Sequence, residues 1–151
     1  MWRDQVSQIS ELGEKWNKKL NLPSSEKELS SFCKYVEGKF GEEVLPQEYC
    51  EFLKTVNGIE FNGLIIYGID PAFLEAKPIN EVESFLDANE TWKSIMDEDK
   101  LIFFGDSDIA WYCYNVSKKR FVELDKPSGE HMETFEDFNT MLKSAFSAAL
   151  S

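Results

Sequence analysis

The segment Leu45-Pro46-Gln47-Glu48-Tyr49-Cys50-Glu51-Phe52-Leu53, closing on Asn57-Gly58, constrains the fold more than any other stretch of the chain. It carries a start and a stop signal for one helix. Proline suits the first helical turn, because its missing N–H has no partner to lose and its φ already matches the helix. Tyr49, Phe52, Leu53 and Val56 recur at i, i+3, i+4, i+7 and form one apolar face. Asn57-Gly58 predicts the stop, since both residues tolerate the left-handed conformation. Directly afterwards the period changes: Ile59-Glu60-Phe61, Asn62-Gly63 and Leu64-Ile65-Ile66-Tyr67 read as strand, tight turn and strand. Nothing in this unit is catalytic; its apolar side chains are expected to face a core.

On the N-terminal side, Trp2, Val6, Ile9, Leu12, Trp16 and Leu20 step by three or four and predict a first amphipathic helix, interrupted at Leu22-Pro23. Ser25 with Glu28 forms a capping box ahead of Leu29, Phe32, Cys33, Val36 and Phe40, and Gly41 stops that second helix. On the C-terminal side, Gly68 to Pro78 reads as a connection broken by Pro71 and Pro78. Asn80 and Glu83 are the expected caps of a helix with Val82, Phe85, Leu86, Asn89, Trp92, Ile95 and Met96 on one side, closed by Asp97-Glu98-Asp99. Leu101-Ile102-Phe103-Phe104 is a buried strand ended by Gly105. Ile109 to Val116 and Phe121 to Leu124 flank a polar turn and make a second hairpin. Thr134 is the expected cap of a terminal helix bearing Phe135, Phe138, Met141, Leu142, Ala145, Phe146 and Ala149. Helices first, hairpins in the middle and a helix at the end predict an α+β fold. It is a single domain over residues 1–151, a largely antiparallel sheet with helices packed against it.

The chain of 151 residues carries 28 acidic and 16 basic side chains, a formal net charge of −12. That balance excludes phosphate-binding surfaces of the nucleic-acid type and disfavours anionic membranes. It would attract a basic protein and speed its approach, although acidity also serves solubility alone. Cys33, Cys50 and Cys113 are far apart in sequence and odd in number, so neither a disulfide framework nor a zinc ribbon is expected; each sits in an apolar pattern as a free thiol. With no signal-peptide pattern at Met1-Trp2-Arg3-Asp4 and no long apolar run, the expected compartment is the cytoplasm.

Catalytic candidates are few. The lone histidine, His131, lies in a polar stretch and has no nucleophile motif beside it, and no phosphate-binding glycine loop is present. No enzyme activity, cofactor or metal is implied. Gly105-Asp106-Ser107-Asp108 reads either as a side-chain-stabilised turn or as a loop holding a divalent cation through oxygen ligands. In Trp111-Tyr112-Cys113-Tyr114, alternation sends Trp111 and Cys113 to one sheet face and Tyr112 and Tyr114 to the other. If helices cover one face only, large aromatics are exposed beside acidic loops, as in protein-binding patches; otherwise they are core on both faces. Asp106, Asp108, Trp111 and Tyr112 are therefore the candidate partner-binding residues.

Three segments in this order resemble the SUKH superfamily, in particular its YrhA-like members. They are Leu45 to Gly58 with the strands to Tyr67-Gly68; Leu101 to Asp106 with the aromatic strand and Phe121-Val122-Glu123-Leu124-Asp125; and Thr134-Phe135-Glu136-Asp137-Phe138 at the start of the last helix. The resemblance implies an α+β fold and a non-enzymatic role: a bacterial immunity protein that binds and neutralises a cognate toxin domain, with nuclease toxins among the targets. The alternative it leaves open is a regulatory protein-interaction module without a toxin. It transfers no catalytic residues.

Overall fold

The computed structural model describes residues 2–96 and 100–151, so the expected helix end at Asp97-Glu98-Asp99 lies outside the described residues. The α+β architecture is as the sequence predicts. Three helices, α1 (Trp2–Glu14), α2 (Glu26–Phe40) and α3 (Gln47–Thr55), precede β1 (Ile59–Phe61) and β2 (Leu64–Ile66). After a 3-10 turn at Pro71–Phe73 come α4 (Phe85–Met96), β3 (Leu101–Asp106), β4 (Ala110–Asn115), β5 (Arg120–Asp125), β6 (His131–Phe135) and α5 (Phe138–Leu150). The strands form one antiparallel sheet in sequence order, β1 to β6, so every connection is local except the one carrying α4.

Helices cover both faces of the sheet. Phe104 meets Tyr49 of α3 and Phe138 of α5, at 5.0 and 5.4 Å between ring centroids. Its neighbour Phe103 points the other way, towards α4, where its backbone N–H and C=O both bond the carboxamide of Asn89, at 2.8 and 2.9 Å. Pairing between β2 and β3 stops at Ile66–Gly105, so Asn89 serves Phe103 where no strand continues. Tyr49 is fully buried, and its hydroxyl donates to the Tyr67 carbonyl at 2.6 Å.

Several termini differ from expectation, each for a local reason. Helix α1 stops short of Trp16 because Asn17 adopts a left-handed φ of 56° and Lys18 N–H folds back onto the Gly13 carbonyl at 2.9 Å. This is a Schellman stop made by asparagine, and it leaves Trp16 78% exposed. Pro46 is extended and caps α3 from outside. Asn57 does not take the left-handed conformation; its side chain accepts from Ile69 N–H at 2.7 Å, and Gly58 alone turns, at φ 81°. A Cβ on Gly58 would stand 2.9 Å from the Gly68 nitrogen, so the two glycines let the backbones cross.

Asn80 and Glu83 do not cap α4. The Asp70 carboxylate does so from a distant loop, accepting from the N–H groups of Leu86 and Asp87 at 2.9 and 3.3 Å. Ile95 faces outward. Gly105 does not end β3: the strand runs on to Asp106, and the glycine lies at a register shift pressed against the Ile65 carbonyl. Thr134 and Phe135 belong to β6, and Asp137 caps α5 by accepting from Thr140 N–H at 2.8 Å. The capping box of α2 and the Asn62-Gly63 turn, at φ 48° and 85°, are as predicted.

Replacing Asn89 by Ala would leave two buried backbone groups of Phe103 unsatisfied. The expected loss is about 2–4 kcal/mol, read as a lower urea midpoint with unchanged slope.

Candidate functional site

The four candidate residues lie around the β3–β4 hairpin, but they divide between interior and surface. Asp106, at the end of β3, is 6% exposed. Its Oδ2 accepts the Tyr67 hydroxyl, which in turn accepts Trp92 Nε1–H at 2.9 Å. Its Oδ1 accepts from Lys126 Nζ at 3.1 Å. The Lys126 ammonium also lies 4.5 Å from the centre of the Trp92 ring, a cation–π contact. Burial, and then the Asp106 carboxylate, push the Tyr67 phenol far above its ordinary range, so it remains a donor. Asp106 thus spends its charge inside the fold and does not join Asp108 in a cation loop. Of the two readings for Gly105 to Asp108, the arrangement is a turn, closed by Ser107 N–H on the Ala110 carbonyl at 2.8 Å.

Trp111 and Tyr112 are core on opposite faces. Trp111 packs edge-on against Trp92 at 5.4 Å under α4, while Tyr112 lies beside Met141 and Ala145 of α5. Asp108 is the one member of the four that is exposed, on the hairpin tip beside the 74% exposed Ile109. His131 opens β6 instead of sitting in a loop, and its Nε2 meets Thr134 Oγ1 at 2.7 Å. Among the described residues no three His, Cys, Asp or Glu side chains converge to hold a metal.

A different row of polar groups runs from the core to the surface. Tyr112 of β4 stands directly opposite Glu123 of β5, which stands opposite Glu133 of β6. Directly opposed residues share a face, so the row climbs from a buried phenol through a half-buried carboxylate to an exposed one at the sheet edge. Helix α5 covers Tyr112 and leaves the outer end of the row, at Glu123 and Glu133, open. It starts beside Phe121 and ends where the Ala149 carbonyl accepts from Asn62 on the β1–β2 turn, crossing the sheet diagonally. Among the described residues no Lys or Arg pairs with Glu123 or Glu133. Burial and then Glu133 raise the Glu123 carboxyl above its usual range; burial and then the two glutamates push Tyr112 up to about 12. The Tyr112 hydroxyl makes no hydrogen bond among the described residues, but its oxygen reaches solvent and is not a buried orphan, unlike Trp111 Nε1.

This row was not legible beforehand. Alternation places Glu123 on the Phe121 and Asp125 face, but Glu133 lies on a strand without alternation, and a bulge after Glu123 sets its register. A second exposed feature is apolar: Trp16 lines the groove beside edge strand β1, and Leu22 and Ile79 line the neighbouring one. It went unseen because Trp16 fits the helical period that Asn17 cuts short.

The two classes of carboxylate predict opposite mutational effects. Asp106→Ala strands the Lys126 ammonium and the Tyr67 hydroxyl, at a cost of about 3–5 kcal/mol. For Glu123 the folded value lies above the unfolded one, so folded protein binds the proton more tightly and stability falls as pH rises through that window. Glu123→Gln is therefore expected to stabilise the chain at pH 7 by about 0.2–0.5 kcal/mol, a small value because water screens the pair. The gain should vanish below about pH 4, the ordinary glutamate range. Urea unfolding at both pH values checks each.

Residues 34–138 match the family SUKH_6, described as SMI1-KNR4 cell-wall, over more than half of the chain. No curated protein matches the chain.

Proposed function

The chain belongs to the SUKH superfamily, a group of generally non-catalytic, immunity-type domains, and on that premise we propose that it is a cytoplasmic immunity protein. It binds a basic, nuclease-type toxin domain and neutralises it by covering its surface. The observation that carries this reading is the uncompensated row Tyr112–Glu123–Glu133 on the open corner of the sheet. Like charges directly opposite each other on neighbouring strands are unfavourable in the free protein. A partner's Arg or Lys seated between them relieves that repulsion and can donate to the Tyr112 oxygen at the inner end of the row. Asp108 and Asp125, on the nearby turn and strand end, extend the negative field that draws such a partner in.

A regulatory interaction module of the same fold is the second reading. The groove with Trp16 favours it, because an exposed tryptophan marks an apolar contact that an acidic-face mechanism does not use.

Co-expression with the toxin encoded beside the gene tests the proposal. Rescue of growth and recovery of a one-to-one complex are expected; a complex absent at micromolar concentration, with no rescue, would remove the immunity reading. Reversing the row with Glu123→Lys and Glu133→Lys should slow association about tenfold or more at low salt, and by less at high salt. Unchanged rates at every ionic strength would place the interface elsewhere.

A further inference from the structure

The packing of α2 on α3 joins two cysteines that the sequence holds seventeen residues apart. Cys33 Sγ and Cys50 Sγ stand 3.8 Å from each other, linked by a thiol hydrogen bond. Neither residue is fully buried. Both line an open groove of about 310 Å³ with Leu29, Ser30 and Lys54, so a small oxidant has access. We propose that Cys33 and Cys50 form a reversible redox site, closed to a disulfide by a peroxide and reopened by thiol reductants.

The two thiols have unequal roles. The hydrogen bond with Cys33 lowers the Cys50 pKa most; burial opposes it, the Lys54 ammonium one turn along α3 adds to the lowering, and Glu51 and Glu37 oppose it. The same hydrogen bond raises Cys33. Lys54 stands one turn along α3 from Cys50 and lines the same groove, which makes Cys50 the attacking sulfur and Cys33 the resolving one. The Cys50 thiolate attacks one peroxide oxygen, the O–O bond breaks, and the departing hydroxide takes a proton to become water. This leaves a sulfenic acid on Cys50. The Cys33 sulfur then attacks the sulfenic sulfur; the S–S bond forms, the S–O bond breaks, and hydroxide leaves with the Cys33 proton as a second water. Two thiols have lost two electrons and one peroxide has gained them.

The geometry needs only a short closing movement, from 3.8 Å to about 2.05 Å between sulfurs. Because the cysteines lie on different helices, the bond ties α2 to α3, whereas a bond within one helix would restrain neither against the other. Cys113 supplies an internal contrast. It is wholly buried in β4, burial drives its thiol far above the ordinary range, and among the described residues the one cysteine pair in contact is Cys33–Cys50.

The test uses the purified, reduced full chain treated with hydrogen peroxide, blocked with N-ethylmaleimide and mapped by mass spectrometry. The expected product is an intramolecular peptide linking Cys33 to Cys50, with both alkylation sites lost together and both restored by dithiothreitol. Native Cys113 should remain unlabelled throughout. In Cys33→Ser, dimedone should trap the sulfenic acid at Cys50; in Cys50→Ser, trapping at Cys33 should be several-fold slower. The wild-type map decides the linkage by itself if either variant folds poorly. Two thiols still alkylatable after peroxide, a link formed only between molecules, or sulfinic acid at Cys50 without a link would each overturn the proposal.

Discussion

The hydrogen bond from the buried Tyr49 hydroxyl to the Tyr67 carbonyl is the point on which the remaining structure converges. Tyr49 holds α3 against the sheet, its ring in contact with Phe85 of α4, Phe104 of β3 and Phe138 of α5. Burial, and then Asp70, keep its phenol protonated far above the ordinary range, so it stays a donor. The residue it grips then reaches towards the opposite face, where the Tyr67 hydroxyl meets Asp106 and Trp92. Lys126 on the β5–β6 turn completes the line. A single run of polar contacts therefore ties the third helix to the turn beyond the fifth strand. In a low-dielectric interior, such linked bonds reinforce one another and make any unpaired member costly.

This inner line explains why acidic residues near one another in the chain do different work. Asp106 and Asp70 are committed to holding elements together: one neutralises Lys126, and the other supplies the N-terminal turn of α4 with acceptors. Glu123 and Glu133 neutralise nothing in the described chain, and their repulsion is stored on an open corner of the sheet. On the proposal that a basic partner meets this corner, relief of the unfavourable pairing is what that partner would supply. On that proposal the excess of negative charge gives the corner long reach, and the phenol oxygen accepts from the partner's cation.

Much of the fold was legible because local physics decides it. The Ser25–Glu28 capping box, the Asn62-Gly63 turn and the apolar face from Tyr49 to Val56 act within a few residues of chain. The features that escaped act across long separations. Asp70 caps a helix fifteen residues away, Cys33 meets Cys50 only after two helices pack, and Asp106 finds Lys126 only after three strands align. Asp106, Trp111 and Tyr112 carried the right chemical types in a sound local pattern. Coverage of the two sheet faces, one by α4 and the other by α5, decided their burial. Strand β6 escaped for a different reason: at the sheet edge it buries only Phe135, so no alternation marks it.

Hydrogen–deuterium exchange of the chain, alone and mixed with a candidate toxin domain encoded beside its gene, tests the proposed interface most directly. Protection on binding should concentrate on residues 108–112 and 121–135, the open corner of β4 to β6. Protection confined to residues 12–22 and 58–63, around the Trp16 groove, would contradict it.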